Sequence, residues 1–151
     1  MIRFALAVVL AVLIFYQAGQ PYAEFTPPAS LPETLVAGAA AITVLFGSVA
    51  FLLPRAFLSF VRLQAMPGRE SASGEIRGAL AGFHIAGGLA ALMFGGVFVE
   101  LGLGAAWLAT AFGRMISMLS DRANNLLNWL LLLVELALGA IPLAVVLGLI
   151  T

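Results

Sequence analysis

Apolar residues fill five runs of this chain, and polar residues gather between them. The runs are about Phe4 to Ala18, Leu35 to Leu53, Gly78 to Val99, Leu101 to Leu119 and Leu126 to Ile150. An apolar run of ~18 residues or more reads as a membrane span, because ~20 residues at 1.5 Å each cross ~30 Å of hydrocarbon. Helix is the state they predict. An isolated span must satisfy its own backbone hydrogen bonds, and none of these runs alternates like a barrel strand. The expected fold is all-α, a polytopic membrane helix bundle. It has five transmembrane helices, a four-helix core plus an N-terminal helix, in one integral membrane domain over residues 1–151.

The first run has a second reading. "MIRFALAVVLAVLIFYQAGQ" has the basic start and short apolar core of a secretory signal peptide. No clean small-x-small cleavage site follows: Ala18 has Tyr16 two residues before it, and Ala23 has Pro21. An uncleaved helix, at its simplest a signal anchor, is therefore expected.

The connections fit this count. "GQPYAEFTPPASLPE" holds four prolines and two glutamates without a basic residue, and reads as an extended surface loop with Pro32 opening the next helix. "PRAFLSFVRLQAMPGRESASGEIR" carries four of the chain's seven arginines. Within it Arg55, Ser59 and Arg62 share a helical face, which suits either a short interfacial helix or a continuation of the preceding span. Ser71 to Gly74 reads as a flexible turn. Arginine placement then sets the orientation. Arg3, the Arg55–Arg77 loop and Arg122 fall on one side with Arg114 near it, while the Gln20–Glu33 loop, Glu100 and Thr151 fall on the other. The positive-inside rule makes the first side cytoplasmic, with the N-terminus inside and the C-terminus periplasmic.

Composition narrows the function classes. Hydrophobic residues make up 63% and charged residues 9%, against about a quarter charged in soluble domains. Zero net charge argues against a nucleic-acid partner. Absence of cysteine removes disulfides and thiolate sites, and one histidine leaves too few ligands for a metal. Every basic residue is arginine, which with the weight of Ala, Gly, Leu and Val hints at a GC-rich bacterial genome.

Few polar residues interrupt the spans, so each needs a reason. Arg77, Ala81, His84, Gly88 and Gly95 share one face of the third run. Thr110, Arg114, Ser117 and Asp121 share a face of the fourth, and Asn124, Asn128, Glu135, Gly139 and Pro142 a face of the fifth. Three such stripes predict faces turned toward each other, away from lipid. From the cytoplasmic ends His84 lies roughly 10 Å deep, Arg114 roughly 8 Å and Glu135 roughly 13 Å. Arg114 and Glu135 flank a short turn, and helices so joined are antiparallel neighbours, so the two charges are expected to pair. The candidate cluster is Arg114, Glu135, His84, Arg77, Asp121 and Asn128. As a structural device it fixes helix register, or lets Arg114 snorkel to the headgroups. As a functional one it binds a ligand or relays a proton, with His84 titrating near neutrality if Glu135 is adjacent.

Gly78, Gly82, Gly87 and Gly88, with Gly102 and Gly104 at the start of the fourth run, permit close backbone approach, inside the chain or at a dimer seam. Trp107 toward the outer side and Trp129 near the inner interface read as an aromatic belt. No G-x-S-x-G, H-E-x-x-H, P-loop or C-x-x-C-H motif is present.

From Leu35 onward, "FGSVAFLLP", "GEIRGALAGFHIAGGLAALMF", "GRMISMLSD" and "LVELALG" occur in an order that resembles small uncharacterised bacterial inner-membrane proteins with a four-helix domain of unknown function. The likeness covers about three-quarters of the chain and leaves out the first helix. It implies a four-helix bundle whose recurring polar positions match Glu75, Arg77, Gly78, Arg114, Asp121 and Glu135, and it implies no activity.

The function expected is a non-catalytic accessory or scaffold subunit of a larger membrane complex in a bacterial inner membrane. It needs no cofactor; its partners are the lipid bilayer and either a membrane protein or a second copy. The alternative is a small-solute or proton transporter, or a lipid- or quinone-binding protein, built on Arg114, Glu135 and His84.

Overall fold

The computed structural model describes residues 27–64, 66 and 71–151. Among these the protein is helical throughout, with four helices long and apolar enough to cross a membrane. They are α1 (Leu31–Leu52), α3 (Ser71–Phe94), α4 (Val97–Ser120) and α5 (Leu126–Val146), with the short α2 (Pro54–Phe60) after α1. Four of the five expected spans thus have a helix of sufficient length among the described residues; the proposed first helix, Phe4 to Ala18, lies outside them.

Local chemistry sets the boundaries. Ser30 caps α1, its hydroxyl accepting from the Glu33 amide at 3.4 Å, while the Glu33 carboxylate accepts from the Ala29 amide at 2.7 Å. This resembles a capping box, with Pro32 in the first turn as expected. At the other end Leu53 leaves helical geometry immediately before Pro54, where a residue preceding proline is pushed out of the α region. So α2 is a separate helix rather than a continuation of α1, seated by buried Pro54, Phe57 and Leu58.

Two boundaries differ from expectation. Ser71–Gly74 is helical, and α3 starts there instead of at Gly78, passing through a π-helical stretch at Ile76–Ala81. The break between α3 and α4 falls at Gly95 and Gly96, not at Glu100. Both glycines have positive φ (55° and 86°), a conformation that reverses the chain and that other residues rarely adopt. Glu100 instead sits in the first turn of α4, where the helix dipole favours an acid. The α4–α5 turn is closed by Arg122 at φ 58° and by Asn125, whose side chain accepts from the Asn128 amide.

The bundle is two antiparallel pairs: α1 packs chiefly on α3, and α4 on α5. Glycine lets each pair close. A Cβ on Gly88 would lie 2.8 Å from the Ala40 carbonyl, and one on Gly47 would lie 2.9 Å from the His84 Cβ. In the second pair Gly104 and Gly139 face each other, each Cβ position within 3.0 Å of the other's carbonyl. The pairs meet in a core to which all four long helices contribute, through Ala39 and Ala40 of α1, Ala91 of α3, Leu103 and Trp107 of α4 and Leu138 of α5. Many large apolar side chains, such as Phe98, Leu119 and Leu133, point outward, the arrangement expected where lipid is the solvent.

Candidate functional site

The expected pairing of Arg114 and Glu135 is present, and it is bidentate. Arg114 Nε donates to Glu135 Oε2 at 2.8 Å and Nη2 to Oε1 at 2.5 Å. Nη1 donates to Asn128 Oδ1 at 3.0 Å, and Asn128 Nδ2 in turn donates to the Ala123 carbonyl at 2.7 Å. Glu135 is only 4% exposed. The fork geometry answers both carboxylate oxygens and ties the pair to the α4–α5 turn. It joins neighbouring helices at a depth where either charge alone would be costly.

His84 is elsewhere. It does not join Glu135; it lies in an aromatic group with Phe46 and Trp107, at ring-centroid distances of 5.0 and 5.3 Å. The ring is fixed by Nδ1–H donating to the Leu80 carbonyl at 2.7 Å. A carbonyl can only accept, so Nδ1 carries the proton and, in the neutral ring, Nε2 carries the lone pair. Behind it Trp107 Nε1 donates to the Thr43 hydroxyl at 2.9 Å, and that hydroxyl donates to the Ala39 carbonyl at 2.8 Å. Thr43 and Trp107 are 3% and 5% exposed, so this link between α1 and α4 is buried. Trp107 is a core residue, not part of an outer aromatic belt; Trp129 is half exposed, its ring nitrogen bonded to Asn124.

These groups line a crevice of about 210 Å³ between α3 and α4, floored by α1 at Thr43. Its walls are His84, Trp107, Phe83 and Leu103, with Thr110 adding a hydroxyl that already donates to the Ala106 carbonyl. Phe83 is 79% exposed at the rim, so the opening gives onto the bundle's apolar outer face. Among the described residues nothing hydrogen-bonds to Nε2, and no buried side-chain nitrogen or oxygen is left sealed and unpaired. Nε2 is therefore the polar atom left over for whatever enters the crevice.

The other expected site residues are dispersed. Arg77 Nε donates to the Phe51 carbonyl at 3.1 Å, answering an orphan carbonyl at the end of α1. Asp121 is exposed in the α4–α5 turn and accepts from the Ser120 hydroxyl. Of the six glycines singled out, Gly88 and Gly104 are in tight seams, Gly87 lines the crevice, and Gly78, Gly82 and Gly102 touch no neighbouring helix within 4 Å. Gly47 and Gly139 make the other close approaches. At the opposite end from the arginines, Glu33 and Glu100 line a pocket of about 150 Å³ beside Gly95. No group of three acidic or histidine side chains able to hold a metal occurs among the described residues.

The sequence reading leaves the crevice out because it passes over Thr43 and assigns Trp107 to an aromatic belt. Thr43 is one of very few polar residues in the second run, and Trp107 lies roughly 15 Å along α4 from Val97, too deep for an interfacial ring. Together those two facts point to a buried donor–acceptor pair. Comparison with protein families, with curated proteins and with solved structures finds no match to this chain.

Proposed function

We propose that this chain is a non-catalytic integral membrane protein that binds a small lipid-soluble molecule in the crevice at His84. The observation that carries the reading is the pairing of an apolar, aromatic-walled cleft with one uncommitted acceptor, Nε2, whose tautomer is set by Leu80. A few fixed polar groups in an apolar concavity are the common form of a ligand site. An acceptor there selects a donor, so the ligand class is a planar ring bearing a hydroxyl, of phenol or quinol type. The two aromatic walls suit its faces.

This reading keeps the binding half of the alternative expected from the sequence and relocates it. Arg114 and Glu135 satisfy each other and Asn128, so they act as a clasp between α4 and α5 and not as a relay or substrate site. The accessory-subunit reading drew on short loops, the lack of a catalytic motif and glycine faces; of those glycines Gly88 is spent within the bundle, while Gly78 and Gly82 stay open to a partner. Location in a bacterial inner membrane, with the arginine-rich end cytoplasmic, completes the proposal, in keeping with the resemblance of the chain to small inner-membrane four-helix proteins.

The test is gentle detergent extraction of wild type and His84→Phe, with mass spectrometry of everything that accompanies each. The proposal expects a small hydroxylated ring compound with the wild type, and its loss from an equally well-folded variant. A stoichiometric protein partner with no small molecule would return the accessory-subunit reading to first place.

A further inference from the structure

A second cavity, distant from His84 along α3, opens at the arginine-rich end. It holds about 690 Å³ between the end of α1 and the start of α3, and is lined by Leu52, Leu53, Arg55, Ser73, Gly74 and Arg77, among others. Its two arginines come from different helices. Arg77 is held by its Nε bond to the Phe51 carbonyl, which leaves the Nη1 and Nη2 donors for the cavity. Arg77 also lies in the π-helical stretch Ile76–Ala81, where α3 departs from regular geometry, a local irregularity frequent at functional sites. Among the described residues neither arginine is ion-paired, although Glu75 lies exposed two residues before Arg77. Ser73 supplies a hydroxyl, and Leu52 and Leu53 supply an exposed apolar floor, 69% and 58% accessible.

We infer that this cavity holds the phosphate of an anionic phospholipid, gripped between Arg55 and Arg77 with the lipid's apolar part against Leu52 and Leu53. Guanidinium forks match phosphate oxygens in geometry and charge. The cavity's composition then separates the two sources of a phosphate. A soluble ion has no use for the leucine floor, whereas a lipid needs it. Position agrees, because the arginine-rich end faces the leaflet whose anionic lipids attract such clusters. This site stands apart from the His84 proposal and survives its failure.

Native mass spectrometry of the delipidated full chain in detergent, titrated with phosphatidylglycerol, phosphatidylcholine or inorganic phosphate, tests it. Phosphatidylglycerol should bind in preference to phosphatidylcholine, and Arg55→Gln and Arg77→Gln should each weaken it by about fivefold. Arg122→Gln, at the same end but outside the cavity, should leave it unchanged. Arg55 donates to no helix end among the described residues, so its variant keeps the test valid if Arg77→Gln folds poorly. Equal binding of the two lipids would overturn the inference, as would a preference unaffected by Arg55→Gln. Inorganic phosphate binding at these arginines without phosphatidylglycerol would overturn the lipid assignment.

Discussion

The Arg114–Glu135–Asn128 clasp and the His84 crevice both place polar groups deep between helices, yet their polar atoms are answered in different ways. In the clasp every strong donor and acceptor named has a partner from within the chain, and the partners sit on α4, α5 and their turn. In the crevice the threonines, Trp107 and one nitrogen of His84 are similarly engaged, while the second nitrogen is left over. Closure of the first follows from helices that touch along their length through Gly104 and Gly139. Openness of the second lies in the crevice that α3 and α4 leave between them above Thr43 of α1. The difference teaches that an intramembrane charge is not by itself a sign of function. What separates a fastening from a site is whether a polar atom remains uncommitted beside space that a molecule can fill.

Breaking the clasp should have the largest effect. Glu135→Ala leaves the half-buried Arg114 guanidinium without its carboxylate and should lower stability by about 3 kcal/mol, read from unfolding in detergent. Replacing both charges, as in Arg114→Met with Glu135→Met, should recover most of that loss, because an apolar pair needs no partner. A double variant as damaged as the single would mean that the charges do more than fasten.

The seam beneath the clasp comes next. Gly139→Ala would drive a methyl to 2.7 Å from Leu108 and 3.0 Å from the Gly104 carbonyl, and should cost about 1–3 kcal/mol. Gly113→Ala, with no atom within 4 Å of its Cβ position, should be tolerated. Equal effects at the two positions would count against the α4–α5 contact described here.

At the crevice the stability effects should be smaller. Thr43→Val leaves the Trp107 ring N–H without its acceptor and should cost about 1 kcal/mol, with a shift in Trp107 emission as the accompanying sign. His84→Phe keeps a ring against Phe46 and Trp107, and should change stability by less than about 1 kcal/mol while removing the acceptor.

How much of this was legible in the sequence can be argued from the same residues. The four spans were, because an apolar run of that length has few other fates. Arg114 and Glu135 were, because the short Asp121–Asn125 turn forces their helices into contact. The α3–α4 boundary was not: Glu100 drew attention as a charge, while the reversal depends on two glycines whose positive φ leaves no mark in hydropathy. The company of His84 was not either. Helical periodicity places His84 and Arg77 on one face, but which helix that face meets is decided by where the glycine seams close. Gly47 and Gly88 press α3 onto α1, and this sets His84 against Phe46 and Trp107 instead of Glu135.

The central claim is that the His84 crevice is a binding site, and Trp107 reports on it directly. With Trp129→Phe as background, Trp107 is the remaining tryptophan, and its fluorescence can be followed as a short-chain hydroquinone is added to the detergent-solubilised chain. The account predicts saturable quenching that His84→Phe abolishes and that His84→Gln, which retains an acceptor, partly restores. Linear, unsaturable quenching of the same slope in all three proteins would contradict it.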